Sequence, residues 1–235
     1  MTKSVAPYGT WKSPLTVHTI TDADNFAALV DVLVDPITST VYHIEKRPAE
    51  GGRNALLNTE TGRDVTGGEF DVRTTVNGYG GAPGIVHDGV VYFSHVRDGR
   101  VYKVKVGDSN IAPEAFTPEN IAHKFANFDV YPVDPSLLVC VMEDHTGSKS
   151  PSSVVNNLCI LDVSAKTVSQ LESDASFYAS PVFSPDGKRL AWLEWDLPDM
   201  PWNGAEIWIA DVLAEPASPR SRGTLSSHLA IYRTR

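Results

Sequence analysis

Cysteine is scarce in this chain: Cys140 and Cys159 are the only two in 235 residues. Two thiols cannot build a disulfide scaffold, and their spacing matches no metal-ligand pattern. Long apolar runs are absent too, with nothing near the roughly 18 residues that a membrane-spanning helix needs. The opening MTKSVAPYGTWKSP has no apolar core of the signal-peptide kind, so the expectation is a cytoplasmic chain without membrane contact. Positive charge is the minority sign, 20 Lys and Arg against 29 Asp and Glu, and a net charge of −9 offers no basic stripe for nucleic acid. Catalytic signatures are missing as well: no G-x-S-x-G elbow, no G-x-G-x-x-G, no P-loop, and no H-E-x-x-H among the seven scattered histidines. No catalytic residue, metal ligand or cofactor is therefore assigned.

What is present is a β-rich repeat. The composition, 42% hydrophobic and 21% charged, is that of a folded globular protein. Residues 177–211, FYASPVFSPDGKRLAWLEWDLPDMPWNGAEIWIAD, hold four of the five tryptophans. There Ser184-Pro185-Asp186-Gly187 forms a turn: Pro fixes φ, Asp bonds nearby backbone and Gly supplies a positive φ. Leu190-Ala191-Trp192-Leu193 follows, apolar at every position, which reads as a strand covered on both faces. After a longer loop comes a second such strand, Ile207-Trp208-Ile209-Ala210.

The unit recurs. Asp35 in VDPITSTVYHIE, Asp88 in VHDGVVYFS, Asp134 in PVDPSLLVCVME and Asp186 in SPDGKRLAWLE are spaced by 53, 46 and 52 residues. Each precedes a β-prone run and, after a variable loop, a further strand. A period near 50 residues with several short strands per unit predicts propeller blades. The fold expected is all-β, a partial β-propeller of about four blades in an open ring, with blades near 30–69, 70–118, 119–173 and 174–212. A two-sheet sandwich is the alternative, but it does not require the aspartate turn to return at a fixed offset. Residues 1–29 read as an extended lead-in with a helical turn near 23–29, and 213–235 as a disordered tail that neither starts a fifth blade nor caps the fourth.

Loop variation on a rigid repeat is where function collects. Tyr79, Trp195 and Trp202 are candidates for lining a substrate channel, with packing between blades as the plainer reading. Arg53 and Arg73 offer the fork geometry for a carboxylate, although unpaired surface arginines are common. Glu143-Asp144-His145 is the one dense acid–histidine cluster; strand neighbours alternate faces, so the ordinary reading is a solvated loop start. Cys140 and Cys159 fall on two strands of one unit and read as buried, reduced thiols.

Several stretches resemble the N-terminal propeller of prolyl oligopeptidase-family serine peptidases, nearest the acylaminoacyl-peptidase or dipeptidyl-peptidase-like branch. They are PYGTWKSPLT (7–16), RPAEGGR (47–53), FDVRTTVNGYGG (70–81), VYFS (91–94), LLVCVMEDH (137–145) and the 177–212 segment, whose MPWNG-x-EIW continuation is the most specific. The resemblance implies a propeller of seven or eight blades over an α/β-hydrolase domain with a Ser-Asp-His triad. Such a propeller admits short peptides and sometimes holds the peptide N-terminus. Here Asn77-Gly78 stands where the family usually has His-Glu, and Met142 where arginine is frequent. The hydrolase domain is not among these residues.

The function expected is thus the substrate-gating propeller portion of a peptidase acting on short peptides, inactive by itself. Arg73, Tyr79, Glu143, Trp195 and Trp202 are its substrate-channel candidates. The alternatives are a stand-alone propeller that binds peptides or proteins, and a lactonase-like metal-dependent hydrolase with acids and histidines converging on the channel. Four blades leave two uncovered ends, so poor stability or self-association through them is expected.

Overall fold

The computed structural model describes residues 5–10, 12–22, 27–107, 112–147, 150, 153–172, 174–214 and 229–234. Among them are four antiparallel sheets whose strands follow in chain order. The first holds β1 (Ala28–Val34), β2 (Val41–Arg47) and β3 (Arg53–Asn58). The second holds β4 (Gly84–His87), β5 (Val90–His95), β6 (Arg100–Lys105) and β7 (Glu114–Ala115). The third holds β8 (His123–Val130), β9 (Leu137–Asp144), β10 (Val155–Asp162) and β11 (Thr167–Glu172). The fourth holds β12 (Phe177–Phe183), β13 (Arg189–Trp195), β14 (Glu206–Ala214) and β15 (Leu229–Thr234). The architecture is a partial propeller of four blades that does not close.

Three apolar cores lie between successive blades, and they explain why the strand sequences lose the usual alternation. In β9, Leu138 and Cys140 enter the core shared with Tyr92, Val101 and Phe116 of the second blade region. Leu137, Val139 and Val141 enter the core shared with Tyr178, Leu190 and Trp192 of the fourth. A strand buried on both faces is apolar at every position. Tyr42 and Ile44 meet Val91 and Phe93 in the remaining core. Trp192 is buried with its indole Nε1 donating to Glu194 Oε2 at 2.7 Å, two residues along the same strand face.

The repeated aspartates all sit between the first and second strands of a blade, and the carboxylates of Asp35, Asp134 and Asp186 tie their turns. Asp134 Oδ1 accepts from Ser136 N, and Asp186 Oδ1 from Lys188 N. Asp35 is fully buried and reaches further: Oδ1 accepts from Ile37 N at 2.9 Å and Asp88 N at 3.1 Å, and Oδ2 from Gly89 N at 2.7 Å. It joins the turns of the first two blades. Gly187 holds φ +69°, and a Cβ there would meet Val133 Cγ2 at 2.6 Å, so the fourth turn closes tightly on the third.

Two expectations need correction. Leu229–Thr234 is not disordered tail: as β15 it pairs with β14 from Ile209↔Thr234 to Ala214↔Leu229 and completes the fourth blade. The only local strand signal in the tail, Leu229–Tyr232, is short and follows a polar stretch, and the pairing edge of β14 makes it a full strand. The rest of the tail, 215–228, lies outside the described residues. The helical turn falls earlier than expected, at α1 (Val17–Thr21), where the Thr16 hydroxyl accepts from Thr19 N. Of the stretch expected to be helical, 23–26 lies outside the described residues and β1 takes Ala28 and Leu29.

Candidate functional site

Because strands run up and down, one face of the arc carries the short aspartate turns. The other carries every connection between second and third strands and every entry into a new blade. All five channel candidates lie on or beside this second, loop-bearing face.

Glu143 is the centre of the arrangement. It is the penultimate residue of β9, not the start of a solvated loop, and it is only 4% exposed. Its side chain shares a face with Val139 and Val141, so it caps the core between the third and fourth blades. Asn77 N donates to Glu143 Oε1 at 2.6 Å, and His145 Nε2 lies 2.9 Å from Oε2. Asn77 arrives from the turn before the second blade, which is anchored by the fully buried Val76. On the neighbouring strand Asn156 stands opposite Glu143, and its Nδ2 donates to Ser176 O at 2.8 Å. The amide oxygens of both Asn77 and Asn156 are buried with no hydrogen-bond partner among the described residues. On the other side Lys124 is in register with Glu143 and donates Nζ to Ile121 O; burial pulls its pKa down while Glu143 opposes the shift. A buried carboxylate beside uncommitted amide oxygens is a site that suits a cation. Asn77 and Asn156 escape sequence reasoning because they lie far from Glu143 in the chain; the available signal was the Asn pair opening the β10 run.

The other candidates divide. Tyr79 and Trp202 are 67% and 75% exposed, so neither packs between blades. Trp202 stands on α2 (Pro201–Gly204), a single turn within the loop between β13 and β14. Trp195 is buried and stacks on Phe177 at 5.3 Å, 13° from parallel, so it packs the end of the fourth blade instead of projecting. Beneath that loop Asp196 Oδ1 accepts from both the backbone N and the hydroxyl of Ser176 at 2.7 Å, which holds its pKa low.

The two arginines differ sharply. Arg53 is buried and fully committed: Nε donates to Glu50 Oε2 at 2.6 Å, Nη2 to Asp64 Oδ2 at 2.8 Å, and Nη1 to the carbonyls of Phe70 and Gly67. The carboxylates it binds are its own chain's, and they lash the 59–70 connection to the first blade. Burial acts against its charge, but the bonds to Asp64 and Glu50 outweigh it and raise the pKa. Arg73 is half exposed; one Nη2 bond to Asp71 Oδ2 at 2.9 Å leaves donors facing solvent.

Cys140 and Cys159 stand directly across β9 and β10 as buried free thiols, and burial pushes Cys159 up to about 12. Among the described residues no three His, Cys, Asp or Glu side chains group as a metal-ligand set. No described helix is long and apolar enough to cross a membrane.

No family model and no curated protein matches the chain. Solved structures do. A puromycin-hydrolysing peptidase of Mycobacterium tuberculosis is similar at 29% identity with a TM-score of 0.77, over 90% of this chain and 34% of that one. A puromycin hydrolase is similar at 30% identity with a TM-score of 0.76, also over 90% and 34%. A putative TolB from Agrobacterium tumefaciens, at 12% identity and a TM-score of 0.54 over 79% of this chain and 58% of that one, shares the fold alone. The chain spans about a third of the length of the two peptidases. The likeness read from the residues therefore holds in three dimensions: this chain is similar to the propeller portion of prolyl oligopeptidase-family peptidases.

Proposed function

We propose that this chain is the substrate-gating propeller portion of a serine-type peptidase acting on short peptides, of the acylaminoacyl- or dipeptidyl-peptidase kind. The observation that carries the reading is the Glu143 cluster on the loop-bearing face. A short peptide presents an ammonium group, and a desolvated carboxylate whose neighbours Asn77 and Asn156 carry unbonded amide oxygens complements it. Exposed Tyr79 and Trp202 supply apolar contact area around that point, and the free donors of Arg73 suit a carboxylate. The similar peptidases act on puromycin, which also carries a free amine. The buried free thiols of Cys140 and Cys159 support a reducing compartment, the cytoplasm.

The test is calorimetric binding of triglycine and N-acetyl-triglycine to the 235-residue chain. The reading expects the free-amine peptide to bind better, and Glu143→Gln to weaken it about tenfold or more while leaving the acetylated peptide unchanged. Equal binding of the two peptides, or indifference to Glu143→Gln, overturns it. The 235 residues contain no G-x-S-x-G, so a fluorophosphonate probe leaves them unlabelled; labelling would reveal a nucleophile elsewhere.

A further inference from the structure

His145 follows Glu143 by two residues at the end of β9, so strand alternation sends both side chains to one side. Their surroundings differ. The Glu143 side chain is 5% exposed and that of His145 36%, with Nε2 at 2.9 Å from Oε2. A carboxylate oxygen only accepts, so Nε2 carries the hydrogen and Nδ1 is where a second proton enters the ring. The other oxygen, Oε1, is held by Asn77 N at 2.6 Å. Glu143 is thus gripped by a backbone amide whose charge is fixed and by a ring of the type whose charge changes between pH 5 and 8. Each oxygen keeps a further lone-pair direction for a ligand. The other charged groups around the pair are engaged elsewhere. Lys124, in register with Glu143 on β8, donates Nζ to Ile121 O. Asp144 faces away, its Oδ1 accepting from Thr146 N with His123 Nε2 at 3.7 Å. From the fourth blade, Glu194 accepts the indole hydrogen of Trp192. Among its described residues the Asn77 turn brings no charge, only the exposed phenol of Tyr79.

We propose that His145 is the positioning residue of the amine site at Glu143, and that its protonation closes the site to an ammonium group. The inference rests on the reading of Glu143 as the acceptor of a peptide amine. With a neutral ring, Nε2–H donates to Oε2 and Asn77 N to Oε1, which holds the carboxylate in one orientation with its full negative charge. An arriving ammonium group then supplies the missing countercharge. When Nδ1 takes up a proton, the ring itself becomes that countercharge at 2.9 Å. The same ammonium group now brings a second positive charge into a desolvated corner. Binding either expels the ring's proton to solvent or meets its repulsion. The unequal exposure makes the coupling work: the ring reaches water and the carboxylate does not, so solvent pH acts on a buried group through an exposed one.

Calorimetric binding of triglycine to the 235-residue chain, measured from about pH 7.5 to about pH 5.5, reads the outcome. That window keeps the peptide's amine mainly protonated and its carboxylate ionised. The affinity of the unmodified chain should fall about fivefold or more across it. Binding in mid-window should also release protons, read by comparing two buffers of different ionisation enthalpy. His145→Gln supplies a neutral donor that cannot titrate. It should bind at the upper pH, hold that affinity to the lower one and release no proton. His145→Ala lacks the donor and should bind more weakly throughout, whereas His123→Gln, on the far side of β9, should keep the fall. A fall that persists in His145→Gln overturns the proposal, as does a flat profile for the unmodified chain. So does His145→Gln binding as weakly as His145→Ala at the upper pH, which would leave the ring a packing role. Equal binding of triglycine and N-acetyl-triglycine at that pH is a different result, and it removes the amine reading beneath the proposal. Far-UV circular dichroism at each pH separates loss of the site from loss of fold.

Discussion

The two faces of the arc are built from the ends of the same strands, yet they solve opposite problems. On the turn face, backbone donors are met within a few residues by a repeated aspartate, and Asp35 extends the pattern to the next blade's Asp88 and Gly89. On the loop face, polar groups find partners far along the chain: Asn77 with Glu143, and Arg53 with Asp64 and Phe70. The turn face leaves its polar groups satisfied and serves stability. Among the described residues the loop face keeps a buried carboxylate, and the amide oxygens of Asn77, Asn156 and Asn157 are buried without partners, an arrangement that no stability argument favours.

The largest effect expected from breaking this contrast is on the turn face. Asp35→Ala removes the acceptor of four backbone donors in two blades and should destabilise the chain by about 3 kcal/mol in urea unfolding. The same residue sets an acid limit. Burial raises the pKa of its carboxyl, but the donors of Ile37, Gly89 and Thr38 together bring it from 3.8 down to about 2. A lowered carboxyl contributes stability that is complete above its unfolded pKa and is lost as pH falls through the folded one. About 2 kcal/mol should therefore disappear between about pH 4 and pH 2, and Asp35→Ala should remove that part of the slope. Asp129 works in the other direction: burial raises its pKa, so its charge in the folded state opposes stability above that range.

Next comes Arg53→Lys. An ammonium cannot hold Glu50, Asp64 and two carbonyls at once, so a loss of about 2 kcal/mol is expected, with faster proteolysis within 59–70. The smallest effect belongs to the exposed aromatics. Tyr79→Ala and Trp202→Ala should change stability by no more than about 0.5 kcal/mol while weakening peptide binding. A large stability loss from either would mean that the loop face is structural and would erase the contrast.

The blades were legible because their signals are local. The aspartate turn depends on residues two apart, and the covered strands announce themselves by losing alternation, as Leu137–Val141 does. The Cys140–Cys159 pairing followed from their places on adjoining strands. Glu143 was legible only as one of a polar trio. Its burial depends on β9 running three residues beyond the apolar run, and on Val76 carrying Asn77 in from another blade. Arg53 was misjudged for a related reason: its carboxylate partners lie in a connection whose path no local pattern gives. β15 is the clearest case, a strand created by the edge it pairs with.

Periodicity, turn chemistry and composition alone therefore determined the four repeats, their covered strands and the all-β class, because each rests on interactions between residues close in the chain. Which faces meet and which carboxylate is desolvated were decided only by tertiary structure. Those properties depend on how far each sheet rotates against the next, and on which distant loop arrives at a strand's end.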